Sequence, residues 1–284
     1  MKFLVFGCNG MAGHLVSVYL QEQGHEVIGF ARSKSNLVKT IVGDAFDPKA
    51  VKSAMETGAF DAIVNCIGLL NQFAENNKAQ AVYLNSFFPH YLAQLTKDVD
   101  TKVIHISTDC VFSGKRGQYT EDDFKDGPTF YDRSKALGEL EDDKNLTLRL
   151  SIIGPDIKAS GIGLLNWFMQ QEGSLNGFTG ALWTGLTTLQ LAKVIEEGAK
   201  AKVHGLYNIV PDHYISKYDL LGLFNKHMRN GKLSIAPVDK MAANKSLKRT
   251  KFDFAYPIPD YEQMIVELAN WMRAHKQLYP HYEL

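Results

Sequence analysis

The sequence predicts an α/β fold: a doubly wound parallel sheet over residues 1–150, with a smaller mixed α/β lobe over residues 151–284 that is interleaved with it and is not an independent module. Three observations predict it. Short apolar runs alternate with helix-period segments through the N-terminal half, the connections between them are short, and after Ser151 the rhythm breaks into clustered glycines. Strand, helix, strand in repetition is the pattern of a parallel sheet covered by helices on both faces.

Taken in order, Lys2–Phe6 is an apolar run that ends at a glycine and reads as the first strand. From Met11, the apolar Met11, Leu15, Val18 and Tyr19 share one face of a helix that stops near Gly24. Residues 26–30 and 40–42 read as strands, and a helix follows over 48–58, opened by Pro48 in the first turn. Residues 62–66 form a further strand, residues 79–97 a longer polar-faced helix, and Lys102–Ser107 and residues 146–150 two more strands. In the second lobe, Gly154, Gly161, Gly163, Gly173, Gly177, Gly180 and Gly185 separate short apolar pieces such as Leu164–Met169. A helix over Thr188–Lys200 and a strand over 205–210 follow, then a helix opened by Ser216 with Asp219 three residues on, close to a capping box. The last helix starts near Asp260 and places Ile265, Leu268, Ala269 and Met272 on one face.

Composition narrows the function. Lys plus Arg and Asp plus Glu each total 31 in 284 residues, so the formal net charge is zero. That balance argues against nucleic acid or a membrane surface as partner, since both require a basic excess. No apolar run approaches a membrane span, and the first ten residues lack the regions of a signal peptide. Cys8, Cys66 and Cys110 are sparse, odd in number and without metal spacing, which reads as a reduced, cytoplasmic setting.

The chemistry begins at Gly7-Cys8-Asn9-Gly10-Met11-Ala12-Gly13, between the first strand and the first helix. Gly7 permits a tight turn, Gly10 lets backbone N–H groups approach a pyrophosphate, and Gly13 permits close helix–strand packing; the helix N-terminus favours the anion. Asn9 and Met11 fall within the same loop. The glycines fall three positions apart and then three again, not in the one-then-two-residue spacing of the familiar dinucleotide fingerprint, so the position of the loop carries the argument. At the end of the second strand, Phe30-Ala31-Arg32-Ser33-Lys34 holds two cations and no acid. A carboxylate there binds the ribose of NAD, whereas a basic residue accepts the 2′-phosphate of NADP, so the cofactor reads as NADP(H), with NAD(H) the alternative. Arg32 is the first contact and Lys34 the second. Asp44, after the third strand, is either a partner for the adenine amino group or a turn aspartate.

Tyr131-Asp132-Arg133-Ser134-Lys135 opens a helix, and residues four apart share a face. Lys135 beside Tyr131 favours the phenolate and tunes the phenol for proton exchange with a carbonyl. Ser107-Thr108-Asp109-Cys110-Val111-Phe112 stands at the carboxyl end of a strand, where open parallel sheets bind ligands. Thr108 donates a hydrogen bond to a substrate carbonyl there. Asp109 either anchors a substrate hydroxyl or caps the following turn. Asn65-Cys66-Ile67-Gly68 ends the preceding strand, and its backbone lines the nicotinamide ribose.

These motifs, with Ala136-Leu137-Gly138-Glu139, resemble the extended short-chain dehydrogenase/reductases, and more narrowly the dTDP-4-dehydrorhamnose reductase group. Leu148-Arg149-Leu150-Ser151, Gly205-Leu206-Tyr207-Asn208 and Asn244-Lys245-Ser246-Leu247 are similar to that group's later landmarks. The resemblance implies a Rossmann-type sheet, a nucleotide-sugar substrate, and hydride transfer from NAD(P)H to the C4 ketone of a nucleotide-linked deoxysugar. It implies that Tyr131 donates the proton, that Lys135 holds Tyr131 and the nicotinamide ribose, and that Thr108 takes the place of the family's Ser/Thr. Two positions depart from it: Cys110 stands where the rhamnose enzymes have tyrosine, and Ile152 where they have tryptophan. Both family positions lie near the sugar, so Asp109, Cys110, Ile152 and Trp183 are the substrate-binding candidates. The segments 164–168, 177–179 and 183–188 resemble relatives acting on other nucleotide-linked 4-keto-6-deoxy sugars. Lys245, Lys248, Arg249 and Lys251 are either a diphosphate contact or a solvated basic face. A nucleotide-sugar epimerase or dehydratase with bound NAD, and a non-catalytic NAD(P)-binding regulatory subunit, are the competing expectations. The sequence leaves the oligomeric state open, a homodimer included.

Overall fold

A computed structural model describes residues 1–239 and 244–284. The first half runs β1 (Lys2–Phe6), α1 (Met11–Glu22), β2 (Glu26–Ala31), β3 (Lys39–Val42), α2 (Pro48–Glu56), β4 (Ala62–Asn65), α3 (Asn71–Asn76) and α4 (Lys78–Ala81). A π-helical stretch (Val82–Phe87) leads into α5 (Phe88–Leu95), then β5 (Lys102–Ser107), a 3₁₀ turn (Asp109–Val111), α6 (Phe130–Ala136) and β6 (Leu146–Arg149). The second half adds β7 (Ser151–Ile153), α7 (Leu164–Met169), β8 (Ser174–Phe178), β9 (Leu182–Trp183), β10 (Gly185–Thr187) and α8 (Thr188–Lys200). It continues with β11 (Gly205–Asn208), β12 (Ile215–Ser216), α9 (Lys217–Met228), β13 (Ser234–Val238) and α10 (Tyr261–Ala274).

Seven strands form one parallel sheet in the order β11-β6-β5-β4-β1-β2-β3. The chain builds outward from β1 to β3, then returns to β4 on the other side of β1. The order therefore reverses between β1 and β4, and the crevice at that switch point is where such sheets take ligands. Alternation along β1 divides the core: Phe3 and Val5 face α1 and α8, whereas Leu4 and Phe6 face Val51, Ala54, Phe88 and Leu92 of the opposite layer. The outermost strand, β11, comes from beyond residue 151, so the second half completes the sheet. Three two-stranded pairs, β7 with β10, β9 with β12 and β8 with β13, build the smaller lobe.

Helix starts follow their capping residues. Asp47, Thr187, Ser216 and Asp260 each accept a backbone N–H of the first turn. The helix expected over 79–97 is present, but its middle is π-helical. Pro89 lacks an N–H and its ring conflicts with the carbonyl four residues back, that of Asn85, so the ladder widens there. That carbonyl presses on Gly138, where an added Cβ would lie 1.9 Å away.

Candidate active site

The loop after β1 is a cradle closed by its glycines. Gly7 has φ of 82°, and a Cβ there would meet the Cys66 carbonyl at 3.2 Å. A Cβ on Gly13 would lie 2.1 Å from the Gly7 oxygen, so only glycine lets α1 start this close to the loop. Gly10 caps α1 without a side-chain acceptor, and its first turn carries no acid. The leading N–H groups and the helix dipole thus remain available to an anion, the fit a dinucleotide's diphosphate requires. The Asn9 amide donates to the Ser33 carbonyl at 2.9 Å and to its hydroxyl at 3.3 Å, tying the cradle to the loop after β2. Arg32 and Lys34 are exposed on that loop. Asp44 is exposed, and its carboxylate accepts the Phe46 N–H at 3.0 Å, the turn role among its two readings. Met11 faces Gly163, its sulfur 3.2 Å from where a Cβ there would sit.

At the end of β4, buried Asn65 accepts the Ile67 N–H at 3.1 Å, which shapes the Cys66–Ile67 turn beside Gly7. Burial pushes the Cys66 thiol up to about 12. Gly68 lies against the Asn85 amide, which also accepts from Leu69 N–H at 2.8 Å and donates to Ser134 Oγ at 3.0 Å.

The helix α6 is fixed from three sides. Thr129 and Asp132 form a reciprocal capping box, Glu75 of α3 accepts the Phe130 and Tyr131 N–H groups, and Ser86 bonds the Ser134 carbonyl. Tyr131 is thereby held, 7% exposed, against the 3₁₀ turn after β5. Thr108 caps that turn by accepting the Cys110 N–H at 3.1 Å, and its hydroxyl donates to the Asp109 carboxylate at 3.2 Å. The turn-capping role considered for Asp109 therefore belongs to Thr108. Burial raises the Asp109 carboxyl, opposed by Lys245, Thr108 and Lys217. Burial, then Asp109, pushes the Cys110 thiol up to about 12.

Burial raises the Tyr131 phenol far above its ordinary value, with Cys110, Asp109 and Asp132 adding to the rise and Thr108 opposing it. Lys135 shares the helix face but turns its ammonium to β5, donating to the Ile106 carbonyl at 2.8 Å beside His105 Nε2 at 3.4 Å. Burial brings Lys135 down to about 8, against the pull of Glu139 and Cys66.

Trp183 is buried on β9, packed on Tyr261, with the Lys217 ammonium 5.3 Å over its ring. Lys217 opens α9 and faces Asp109 and Cys110; burial lowers it to about 8. Ile152 is half-buried in β7, paired with Leu186 of β10. Of the basic residues considered for a diphosphate, Lys245 pairs with Asp132 at 3.5 Å, Lys251 with Asp122 at 3.9 Å, and Arg249 bonds the Lys251, Phe254 and Tyr256 carbonyls. Lys248 is exposed. Sequence reasoning missed Asn85, His105 and Lys217. His105 carried a signal, a lone polar residue inside a run read as fully buried; Lys217 carried none.

A glycine cradle at the switch point, with threonine and the Tyr-Lys helix at the next strand ends, defines an extended short-chain dehydrogenase/reductase. More narrowly, the chain belongs to the RmlD substrate binding domain family, which matches residues 1–154. It is 31% identical over 140 residues to the spore coat polysaccharide biosynthesis protein SpsK of Bacillus subtilis, covering 49% of this chain and 47% of that one. It is 31% identical over 140 residues to the dTDP-4-dehydrorhamnose reductase of Streptomyces griseus, covering 49% of this chain and 43% of that one. The match thus spans about half the length of these curated relatives. The crystal structure of a dTDP-4-dehydrorhamnose reductase from Bacillus anthracis in complex with NADP superposes with a TM-score of 0.79 at 18% identity, covering 94% of this chain and 98% of that one. Among the described residues, no helix is long and apolar enough to cross a membrane.

Proposed function

We propose that this protein is an NADPH-dependent reductase of a nucleotide-linked 4-keto-6-deoxy sugar. The observation that carries the reading is the buried Tyr131 on α6, packed against the 3₁₀ turn that Thr108 caps at the carboxyl end of β5, with the glycine cradle two strands away in the same sheet. Bound in that cradle, the dinucleotide supplies a hydride to the sugar ketone. The chain's own part is to place and protonate the carbonyl oxygen: Thr108 donates a hydrogen bond to it, and Tyr131 releases its proton to the developing alkoxide. Lys135 is the residue to hold the nicotinamide ribose. Gly7, Gly10 and Gly13, with the α1 N-terminus, hold the diphosphate, and Asn65 to Gly68 wall the ribose side.

Arg32 and Lys34, exposed at the end of β2 with no acid beside them, support NADPH over NADH. Arg32→Ala should weaken NADPH far more than NADH; equal losses would remove that preference. Asp109, Cys110, Ile152 and Trp183 line the sugar side. Cys110 and Ile152, in place of tyrosine and tryptophan, support a sugar other than the rhamnose precursor. The compartment we propose is the cytoplasm, supported by three free cysteines. We also propose a homodimer, supported by an aromatic ridge of Phe46, Tyr83, Phe87 and Tyr91, with Phe87 48% exposed. Light scattering should then give a dimer that Phe87→Asp converts to a monomer.

The test is incubation with NADPH and a panel of nucleotide-linked 4-keto sugars. Cofactor oxidation with at least one sugar is expected. No consumption of NADPH or NADH with any of them refutes the reductase, and product formed without net cofactor oxidation assigns an epimerase instead.

A further inference from the structure

Inside the sheet, behind the proton donor, lies a polar chain whose central member, His105, has no part in the reaction above. Asn65 of β4 and His105 of β5 are neighbours in register, and both are fully buried. A backbone N–H can only donate, so the Asn65 atom 3.1 Å from the Ile67 nitrogen is its oxygen. The other amide atom is then the NH₂, and it donates to His105 Nδ1 at 3.2 Å. Burial, with Lys135 and His90 adding to it, holds His105 well below its ordinary value, so the ring is neutral. With Nδ1 accepting, its one proton sits on Nε2. That N–H points at the Lys135 nitrogen, 3.4 Å away.

An ammonium there has no acceptor on the histidine side. Among the described residues the acceptor it finds is the Ile106 carbonyl, 2.8 Å away, whereas an uncharged amine could accept the His105 proton with its lone pair. We propose that His105, aimed by Asn65, is a positioning residue that disfavours the charged form of Lys135 until cofactor ribose hydroxyls offer the acceptors His105 withholds, so that dinucleotide binding draws a proton from solvent onto Lys135. The inference rests on the reductase reading for its ligand. The groups that face Lys135 are Cys66 beyond β4, His105 and the Ile106 carbonyl of β5, and Glu139 beyond α6; His90 of α5 acts on His105. Of the charged ones, Glu139 favours the ammonium throughout and Cys66 titrates well above this range.

The experiment is a fluorescence titration of NADPH against pH, which needs no sugar. Lys135 titrates at about 8 in the free protein. If binding requires its ammonium, affinity should fall about tenfold between roughly pH 7 and pH 9. His105→Gln places a carbonyl oxygen toward Lys135 and should flatten that dependence. Asn65→Asp should flatten it too, because a carboxylate at Nδ1 moves the histidine proton there and turns Nε2 into an acceptor. Burial also brings Lys217 to about 8, but it faces Asp109 and Cys110 and not His105, so a dependence that came from Lys217 would leave the wild-type and His105→Gln profiles parallel. A purely structural role for His105 would lower affinity equally at every pH. Parallel profiles for wild type and both variants, or a flat wild-type profile, overturn the inference alone. Failure to bind either NADPH or NADH overturns the reductase reading beneath it.

Discussion

Arg149→Met is the perturbation whose size the structure fixes best. Arg149 is completely buried at the end of β6 and grips Glu139 with both arms, Nε to Oε1 at 2.7 Å and Nη2 to Oε2 at 2.8 Å. Its remaining nitrogen reaches the Thr120 and Glu121 carbonyls and Asn208 at 3.3–3.4 Å, and the guanidinium lies 5.1 Å over Phe112. Methionine fills much of the volume but leaves Glu139 with only Lys125 at 2.7 Å and the Ser107 hydroxyl at 2.6 Å. Removing one partner of a buried pair costs about 3–5 kcal/mol, because the survivor's charge stays desolvated. Lys125 keeps the loss near the lower figure. At about 2–4 °C per kcal/mol, the melting temperature should drop on the order of 10 °C. Thermal and urea unfolding read this directly. Glu139→Gln/Arg149→Met should recover part of it, since a neutral amide costs less to bury than a stranded carboxylate. The reasoning fails if Arg149→Met melts within about 2 °C of wild type, or if the double variant is no more stable than the single. The pH dependence has a fixed sign. Burial would raise the Glu139 carboxyl, but Arg149 and Lys125 outweigh it and hold it below its ordinary range. Its contribution is therefore present above about pH 4.3 and is lost as pH falls through the lowered value. In Arg149→Met the lowering is largely removed, so this acid-induced loss should shrink relative to wild type.

Tyr131→Phe should lower turnover by a factor on the order of 10²–10⁴ while leaving NADPH affinity intact; near-normal turnover would remove its role as proton donor. Gly13→Ala places a methyl 2.1 Å from the Gly7 oxygen, so the cradle must shift. Calorimetry should show dinucleotide affinity falling at least about tenfold and stability falling by about 1–3 kcal/mol. Lys217→Met should raise KM for the nucleotide sugar by roughly tenfold or more, the scale of a hydrogen bond from a charged group, with a smaller change in kcat. An unchanged KM would place Lys217 outside the sugar site.

What the sequence made legible was what short-range physics decides. The strands of the sheet are short apolar runs, and Ser216 and Asp260 mark their helices because an N-cap needs only the next three residues. The glycine cradle was legible for the same reason: its tightest contact, Gly13 on Gly7, is local. The π-helical stretch was not. Pro89 was visible, but the gain that offsets the broken ladder comes from Asn85 bonding Leu69 and Ser134, 16 and 49 residues away. Lys135 shows the same limit at one side chain. Its spacing from Tyr131 sets a shared face, yet the direction of the ammonium is decided by a carbonyl on β5.

Five of the polar residues that interrupt otherwise apolar strands share one location, and that location explains why they are there. Asn65 stands beside His105, and Ser107 beside Arg149 beside Asn208, all toward the carboxyl ends of β4, β5, β6 and β11. Each is a cost inside a sheet buried on both faces, tolerable only when its hydrogen bonds are made. The first row ends on Lys135, four residues from Tyr131 on α6, and the second fixes Ser107, the neighbour of Thr108, through Glu139. An apolar core there would hold the strands together as well. It would not fix the direction of a lysine head or the height of a threonine hydroxyl to within a hydrogen bond's tolerance, which is what proton delivery to a carbonyl demands. Stability alone therefore does not account for these residues. Exchanging the Arg149–Glu139 pair for well-packed apolar side chains should restore the melting temperature while leaving turnover depressed, and recovery of both together would show that the network serves the fold and nothing else.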